Sequence, residues 1–207
     1  MAKRLKISKK LLRLRPGAGE FAIGRLQYKQ GITQEKAFLT GNGANQPLGV
    51  FTASNYGIPT SRDEAGSNTT TALAADTIID VAFSLKEGYA RRASWLMHRL
   101  VLKAIRKLKD DNNQYIWQPG LNGTPGTIMD RPYRLSEYAP STFSASQYVA
   151  VFGDFSYYEI VETTLMELQM LYELYAATNQ VGVIMRTEVD GAPVLPEAFT
   201  RVKMAAN

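Results

Sequence analysis

The spacing of hydrophobic positions changes character about halfway along the chain. Up to residue 109, apart from an irregular stretch at 52–71 and a short strand at 93–98, they recur every three to four residues. Beyond residue 113 they come in short blocks rich in Val, Ile, Tyr and Thr, separated by turn residues. Pro16 and Gly17 allow a helix to open, and the spacing predicts one from residues 19–20 to 39. On a helical wheel Ala22, Ile23, Leu26 and Ala37 fall on one side, and Phe21, Tyr28, Ile32 and Leu39 on the other; Gly31 weakens the middle. A helix apolar on two sides is gripped between two layers, or between a core and a neighbouring molecule. Residues 72–89 regain helical spacing, with Ile78, Val81, Ala82, Leu85 and Tyr89 on one stripe. "ASWLMH" reads as a short strand, and "RLVLKAIRKLKDD" is the clearest helix. Met97, Leu100, Val101, Ala104, Ile105 and Leu108 share its inner face. Arg99, Lys103, Arg106 and Lys107 share the outer one, toward the C-terminal end that the helix dipole makes favourable for cations.

The second half predicts strands at "QYIWQP", "TIMDRPYRL", "QYVAVFGDF", "SYYEIVETT" and "QVGVIMRTEVDG". "LMELQMLYELYAATN" fits either a strand or a helix, and a last short helix is expected around residues 196–204. Residues 52–71 read as irregular connection. No internal repeat and no coiled-coil heptad emerges, and the class is α+β.

Between the first helix and that connection lies "AFLTGNGANQPLGVF", residues 37–51. Its glycines raise the question of a phosphate cradle. The stretch lacks the Gly-Lys-Ser/Thr ending of a phosphate loop and follows a helix rather than a strand, so it is not a dinucleotide fingerprint. A glycine just past the last helical residue is an ordinary helix stop, and the expectation is a bend.

Candidate chemistry is thin. The chain has no cysteine and one histidine, which removes disulfides, thiolates, a two-histidine metal site and a Ser–His–Asp relay with a spare base. His98, at a strand-to-helix junction, is expected to pack or to cap. The carboxylate pairs Asp63/Glu64, Asp76/Asp80 and Asp110/Asp111 show no contrast of environment that would separate an acid from a base. No enzyme, cofactor or metal is expected. No apolar run reaches the roughly 18 residues that span a bilayer, so no membrane partner is expected either. Charge adds one clear feature. Residues 1–109 hold 19 Lys/Arg against 7 Asp/Glu, net +12, while residues 110–207 hold 5 against 12, net −7. Such a split suits nucleic acid, or a subunit whose basic half meets the acidic half of a neighbour.

Five segments in order, "EKAFLTGNGANQPLGVF", "ASWLMHRLVLKAIRKLKDDNNQYIWQPGL", "TIMDRPYRLSEYAP", "VFGDFSYYEIVE" and "TNQVGVIMRTEVDGAPVLPEAF", resemble the major capsid protein of tailed double-stranded DNA phages, the Hong Kong 97 type. The resemblance spans residues 35–199. It implies a capsid-type α+β fold with a long spine helix, a peripheral domain from residues 1–60 completed by 177–207, and a mixed α/β axial domain over 61–176. The family pattern FLTGxGxxxPxG is carried by Phe38, Leu39, Thr40, Gly41, Gly43, Pro47 and Gly49, which would turn the chain from the spine helix toward the axial domain. Trp95, Arg99, Leu108, Lys109 and Asp110 would belong to a strand and helix of that domain. Gly153, Asp154 and Phe155 would form a strand turn there, and Pro196 to Phe199 the return to the peripheral part. The implied function is a self-assembling head subunit. Its partners would be copies of itself in hexamers and pentamers, packaged double-stranded DNA held non-specifically, and portal and scaffold proteins. Its place would be the virion capsid, assembled in the host cytoplasm. Arg99, Lys103, Arg106 and Lys107 are candidates for DNA-facing or inter-subunit cations. A sequence-independent nucleic-acid-binding protein using the basic half is the alternative. Family members carry an arm and a projecting loop ahead of the spine helix, whereas here Met1 falls almost at it; the resemblance implies a chain short of both.

Overall fold

The computed structural model describes residues 2–110, 112–117 and 127–206. The basic opening segment, for which the spacing predicts no element, forms a strand, β1 (Ala2–Ser8). Its alternation turns Leu5 and Ile7 inward and Arg4 and Lys6 outward. The Ser8 hydroxyl accepts the Leu11 N–H and starts a short helix, α1 (Lys9–Leu14). After Gly17 comes α2 (Ala18–Thr40), 23 residues and so about 35 Å long. Ala22 and Leu26 of α2 bury against Ile7, Val183 and Met185. The last two lie on β8 (Gln180–Pro193), which forms a long antiparallel hairpin with β7 (Tyr158–Leu171). With β1 antiparallel on the other side of β8, the result is a three-stranded sheet in the order β1-β8-β7.

The second sheet has six strands: β2 (Asp63–Glu64), β3 (Ser94–Met97), β4 (Thr127–Ile128), β5 (Arg131–Leu135), β6 (Tyr148–Gly153) and β9 (Phe199–Lys203), in the order β2-β9-β6-β3-β5-β4. β6 and β9 are buried on both faces; β6 accordingly reads as a continuous apolar run instead of alternating, while β9 carries Thr200 and Arg201 into the interior. On one face lie α3 (Ala75–Ser84) and α5 (Arg99–Arg106). Ile78, Val81, Val101 and Ile105 pack there on Trp95, Met97, Phe152 and Val202. A one-turn helix, α4 (Glu87–Ala90), links α3 to β3. Leu39, Val50, Phe51, Ile58, Val151 and Phe199 form a separate core, into which the end of α2 inserts. At the sheet's margin Arg201 of β9 is wholly buried. Its Nε donates to Asp63 Oδ1 at 2.8 Å, and its guanidinium lies 4.3 Å from the Tyr148 ring centroid.

Several expectations change. Residues 196–204 are not a helix: a single 3-10 turn, Pro196–Ala198, leads into β9, whose pairing with β6 and β2 overrides local helical spacing. The ambiguous stretch 165–179 divides: 165–171 is strand, paired with β8 from Glu167 onward, and 172–179 is a turn with a 3-10 segment at Ala176–Thr178. "TIMDRPYRL" is two strands, β4 and β5, joined by Met129 and Asp130, both at positive φ as in a type I′ hairpin turn. Of "QYIWQP", Tyr115 makes only an isolated bridge to Lys109; residues 118–119 lie outside the described residues, as does Asp111. Leu100, expected on the inner face of α5, is exposed. Two strands also cross the expected division of the chain: β7 pairs in the three-stranded sheet and β9 in the six-stranded one.

Candidate functional site

The bend after α2 is built from the helix's own unsatisfied carbonyls. The last four C=O groups of a helix have no partner within it. Here the returning chain supplies one. From residues 49–51, the Phe38 carbonyl accepts Val50 N–H at 3.1 Å, Leu39 accepts Phe51 at 2.9 Å and Gly41 accepts Gly49 at 2.9 Å, while the cap residue Gly41 itself closes the last helical bond to Ala37 at 2.8 Å. The Thr52 hydroxyl also donates to the Gly41 carbonyl at 2.8 Å. A Cβ on Gly49 would stand 2.5 Å from the Leu39 carbonyl carbon and oxygen, so this close approach admits no side chain. The Gly41 N–H is aimed at a helix carbonyl and the Gly49 N–H at the Gly41 carbonyl just past the helix end, so neither is left for a phosphate. Pro47 is buried, Gly43 is exposed at positive φ, and the turn docks on the β7–β8 hairpin. Leu48 N–H donates to the Gly191 carbonyl at 2.7 Å, the Tyr158 hydroxyl donates to the Leu48 carbonyl at 3.1 Å, and Phe38 meets Tyr158 edge-on at 6.0 Å. Burial, aided by the charge of Asp190, pushes the Tyr158 phenol well above its ordinary pKa and keeps it a neutral donor.

The other residues singled out in the sequence fall into two groups. Phe199 is fully buried in the same core as Leu39, and Phe155 stands edge-on to it at 5.7 Å. Gly153 ends β6, and the buried carboxylate of Asp154 accepts the Ser156 N–H at 3.0 Å, the Ser156 hydroxyl at 2.7 Å and Arg92 Nε at 3.1 Å. Trp95 and Leu108 belong instead to the core beneath α3 and α5, where the Trp95 indole N–H donates to the Ile128 carbonyl at 3.1 Å.

The cations do not all share one face. Arg99, Lys103 and Lys107 are exposed at four-residue spacing along α5 and its cap. Arg106 is half-buried and folds onto Tyr133, donating to its hydroxyl at 3.1 Å. Lys109 lies past the helix and donates to Asn113 Oδ1 at 2.8 Å. His98 caps α5: its Nδ1 accepts the Leu100 N–H at 3.1 Å, which leaves the proton on Nε2, 3.3 Å from Glu137 Oε2. Among the described residues no group of three or more metal-ligating side chains gathers, and no helix is long and apolar enough to cross a membrane.

Two features escape sequence reasoning. Asp63 reads locally as half of a surface carboxylate pair, yet it holds Arg201, a partner 138 residues away that nothing in the local sequence announces. The uncovered strand β7 is the other. Its Ile160 and Val161 are 55% and 60% exposed, a consequence of where β7 falls in the sheet.

A long helix laid across a small sheet, with its end capped by a return into the core of a second sheet, is the architecture of a Hong Kong 97-type capsid subunit. The model of the phage capsid family matches residues 1–204, and the chain belongs to that family. It is a structural capsid protein. The whole chain is similar in structure to the capsid of an empty GTA particle computed with C5 symmetry, at 25% identity and TM-score 0.83, over 73% of that chain. The capsid of the native GTA particle gives 24% identity and TM-score 0.85 over 72% of its chain. The holo-SrpI encapsulin complex from Synechococcus elongatus PCC 7942 shares the fold at 11% identity and TM-score 0.71, again along the whole of this chain and 73% of that one. No curated protein matches.

Proposed function

We propose that copies of this chain assemble into hexamers and pentamers that close an icosahedral head around double-stranded DNA. The head is built in the host cytoplasm and becomes the shell of the virion, with scaffold and portal proteins as further partners. The observation that carries this reading is the second face of α2. Ala22 and Leu26 are spent on the three-stranded sheet, while Phe21 and Tyr28, seven residues apart on another stripe, are 72% and 58% exposed. Arg25 lies between them, 5.6 Å from the Tyr28 ring centroid. Aromatic and arginine side chains exposed together are what protein interfaces use as anchors. Membership of the phage capsid family and the likeness to GTA capsids support a second copy as the partner.

In this reading α2 and the three-stranded sheet form the peripheral part, and the six-stranded sheet with α3 and α5 forms the axial part. The division at residues 60 and 176 is adjusted so that β7 goes with the former and β9 with the latter. Phe38, Leu39, Gly41, Gly43, Pro47 and Gly49 set the angle between them, and Phe155 and Phe199 receive the turn. Arg99, Lys103 and Lys107 face packaged DNA, contacting phosphates without reading sequence.

Light scattering after size exclusion, with negative-stain microscopy of the peak, tests the reading. Rings of five or six subunits, or closed shells, are expected. A monomer at every accessible concentration would overturn autonomous assembly.

A further inference from the structure

The three-stranded sheet carries opposite charges on its two free edges. β1 forms one edge with Lys3, Arg4 and Lys6, and α1 behind it adds Lys9, Lys10 and Arg13; no acid occurs before Glu20. β7 forms the other edge with Glu159, Glu162 and Glu167, and none of its fourteen residues is Lys or Arg. Among the described residues no strand pairs with the outer side of either. An edge strand offers a row of unpaired N–H and C=O groups, and proteins blunt such edges with lysine, proline or cover unless the edge is used. β7 carries neither lysine nor proline and is left open. Besides Ile160 and Val161, Leu168 and Met170 are exposed, and α2 lies over β1 and β8.

We infer that β7 of one copy receives β1 of the next, extending the sheet across the subunit boundary. This deepens the self-assembly reading and rests on it. A second copy of this chain is the occupant because its own β1 brings the charge that β7 lacks, on a strand whose outer side pairs with none of the described residues. β1 and β7 are each antiparallel to β8 and so run in the same direction; neighbouring copies related by rotation meet as a parallel pair. The ladder is short. Register irregularities between residues 162 and 167 divide β7 into two regular stretches, and the seven residues of β1 span only one of them. The contact joins different patches on the two partners, so each added copy again leaves one β1 and one β7 free. Such head-to-tail contacts end only by closing a ring or continue as a filament.

The test compares four full-length proteins: the wild type, Arg4→Glu/Lys6→Glu, Glu159→Lys/Glu162→Lys, and the combination of all four substitutions. Self-association is followed by light scattering against concentration at low salt. Each reversal on one edge is expected to weaken association on the order of tenfold or more, and the combination, with both edges reversed, to restore most of it. Backbone hydrogen exchange of the wild type is the second measurement and needs no variant to fold: β7 amides should gain protection on assembly. A wild type that assembles while β7 amides stay unprotected, or variants that associate as the wild type does, overturns the edge contact and leaves self-assembly standing. A monomeric wild type overturns both. If reversing β1 abolishes duplex DNA binding but leaves association intact, the basic edge serves nucleic acid and the inference is wrong.

Discussion

Replacing Gly49 with alanine puts the turn after α2 under direct strain. The added Cβ would meet the Leu39 carbonyl carbon and oxygen at 2.5 Å and the Thr40 nitrogen at 2.6 Å. These are backbone atoms of the helix end, so no side chain can swing away. Restoring ordinary contact of 3.4 Å requires the returning strand to lift by nearly 1 Å. That displacement breaks the bonds from Gly49, Val50 and Phe51 N–H, now at 2.9, 3.1 and 2.9 Å. Each buried backbone bond lost costs about 0.5–1.5 kcal/mol, and the alternative of keeping them by straining the packing costs about 1–3 kcal/mol. Gly49→Ala should therefore destabilise the chain by about 2–4 kcal/mol, a large share of the roughly 5–15 kcal/mol available to a domain. Two matched substitutions set the scale. Gly43→Ala meets only the Leu48 side chain but keeps φ at +76°, and should cost about 1–2 kcal/mol. Gly31→Ala, inside α2 with nothing within 4 Å, should stabilise by about 0.5–1 kcal/mol. Urea unfolding under dissociating conditions, read through the fluorescence of buried Trp95, gives all three values. A Gly49→Ala midpoint within about 0.5 kcal/mol of wild type would mean that the returning chain does not cap the helix.

Removing one partner of the buried pair should be costly: Asp63→Ala leaves the Arg201 guanidinium in the interior without an anion, with an expected loss of about 3–5 kcal/mol, and Asp63→Leu/Arg201→Met should recover most of it in the same unfolding assay. Tyr158 links stability to alkaline pH. Its folded pKa lies above the ordinary value of about 10, so its contribution is fully present below that pH and is lost as pH rises toward the folded pKa. Tyr158→Phe should flatten this part of the pH–stability curve while costing about 1 kcal/mol at neutral pH for the bond to Leu48; an unchanged slope would exclude Tyr158 as its source. Arg99→Ala/Lys103→Ala/Lys107→Ala should leave stability nearly unchanged and reduce the slope of log affinity for duplex DNA against log salt by about 3, whereas an undiminished slope would place the DNA contact elsewhere.

The helical half was legible because amphipathic spacing is a local property. α3 and α5 each show it, α2 carries apolar positions on two sides at helical spacing, and the glycine–proline turn after α2 is punctuation that sequence carries openly. The strand half was legible only in part. Whether 196–204 coils or extends depends on β6 being beside it, and whether 165–171 coils or extends depends on β8; no window of residues contains either fact. The same limit applies to the candidate surfaces. The outward stripe of α5 could be read from spacing, but Arg106 leaves it for Tyr133, which arrives from β5. The charge split was visible as a total. Its use was not, because which basic and which acidic residues end on opposite edges of one sheet is decided by β8 lying between them.

The uneven cover of the two sheets bears on how a shell could be built from them. The six-stranded sheet finishes its own cores, with Trp95, Met97, Phe152 and Phe199 all but inaccessible. The three-stranded sheet does not. Residues 2–40 and 158–193 are 75 of the 195 described, yet they hold ten of the eighteen large apolar side chains left exposed. At about 25 cal/mol per Å² of apolar surface, that is where association can gain most. The two sheets are also tied together at the end of α2. Leu39 sits in the second core, and Glu35 accepts a hydrogen bond from Ser136 at 2.6 Å, between β5 and β6. A neighbour that grips α2 or β7 thus acts on an element anchored in both sheets, and can set the tilt of the six-stranded sheet without touching it. Loosening that anchor separates association from curvature: Ser136→Ala removes the Glu35 bond while leaving α2 and β7 exposed as before. Association should persist at wild-type affinity while the assembled particles become heterogeneous in size under the microscope. Uniform particles from Ser136→Ala would show that the bond does not set the angle.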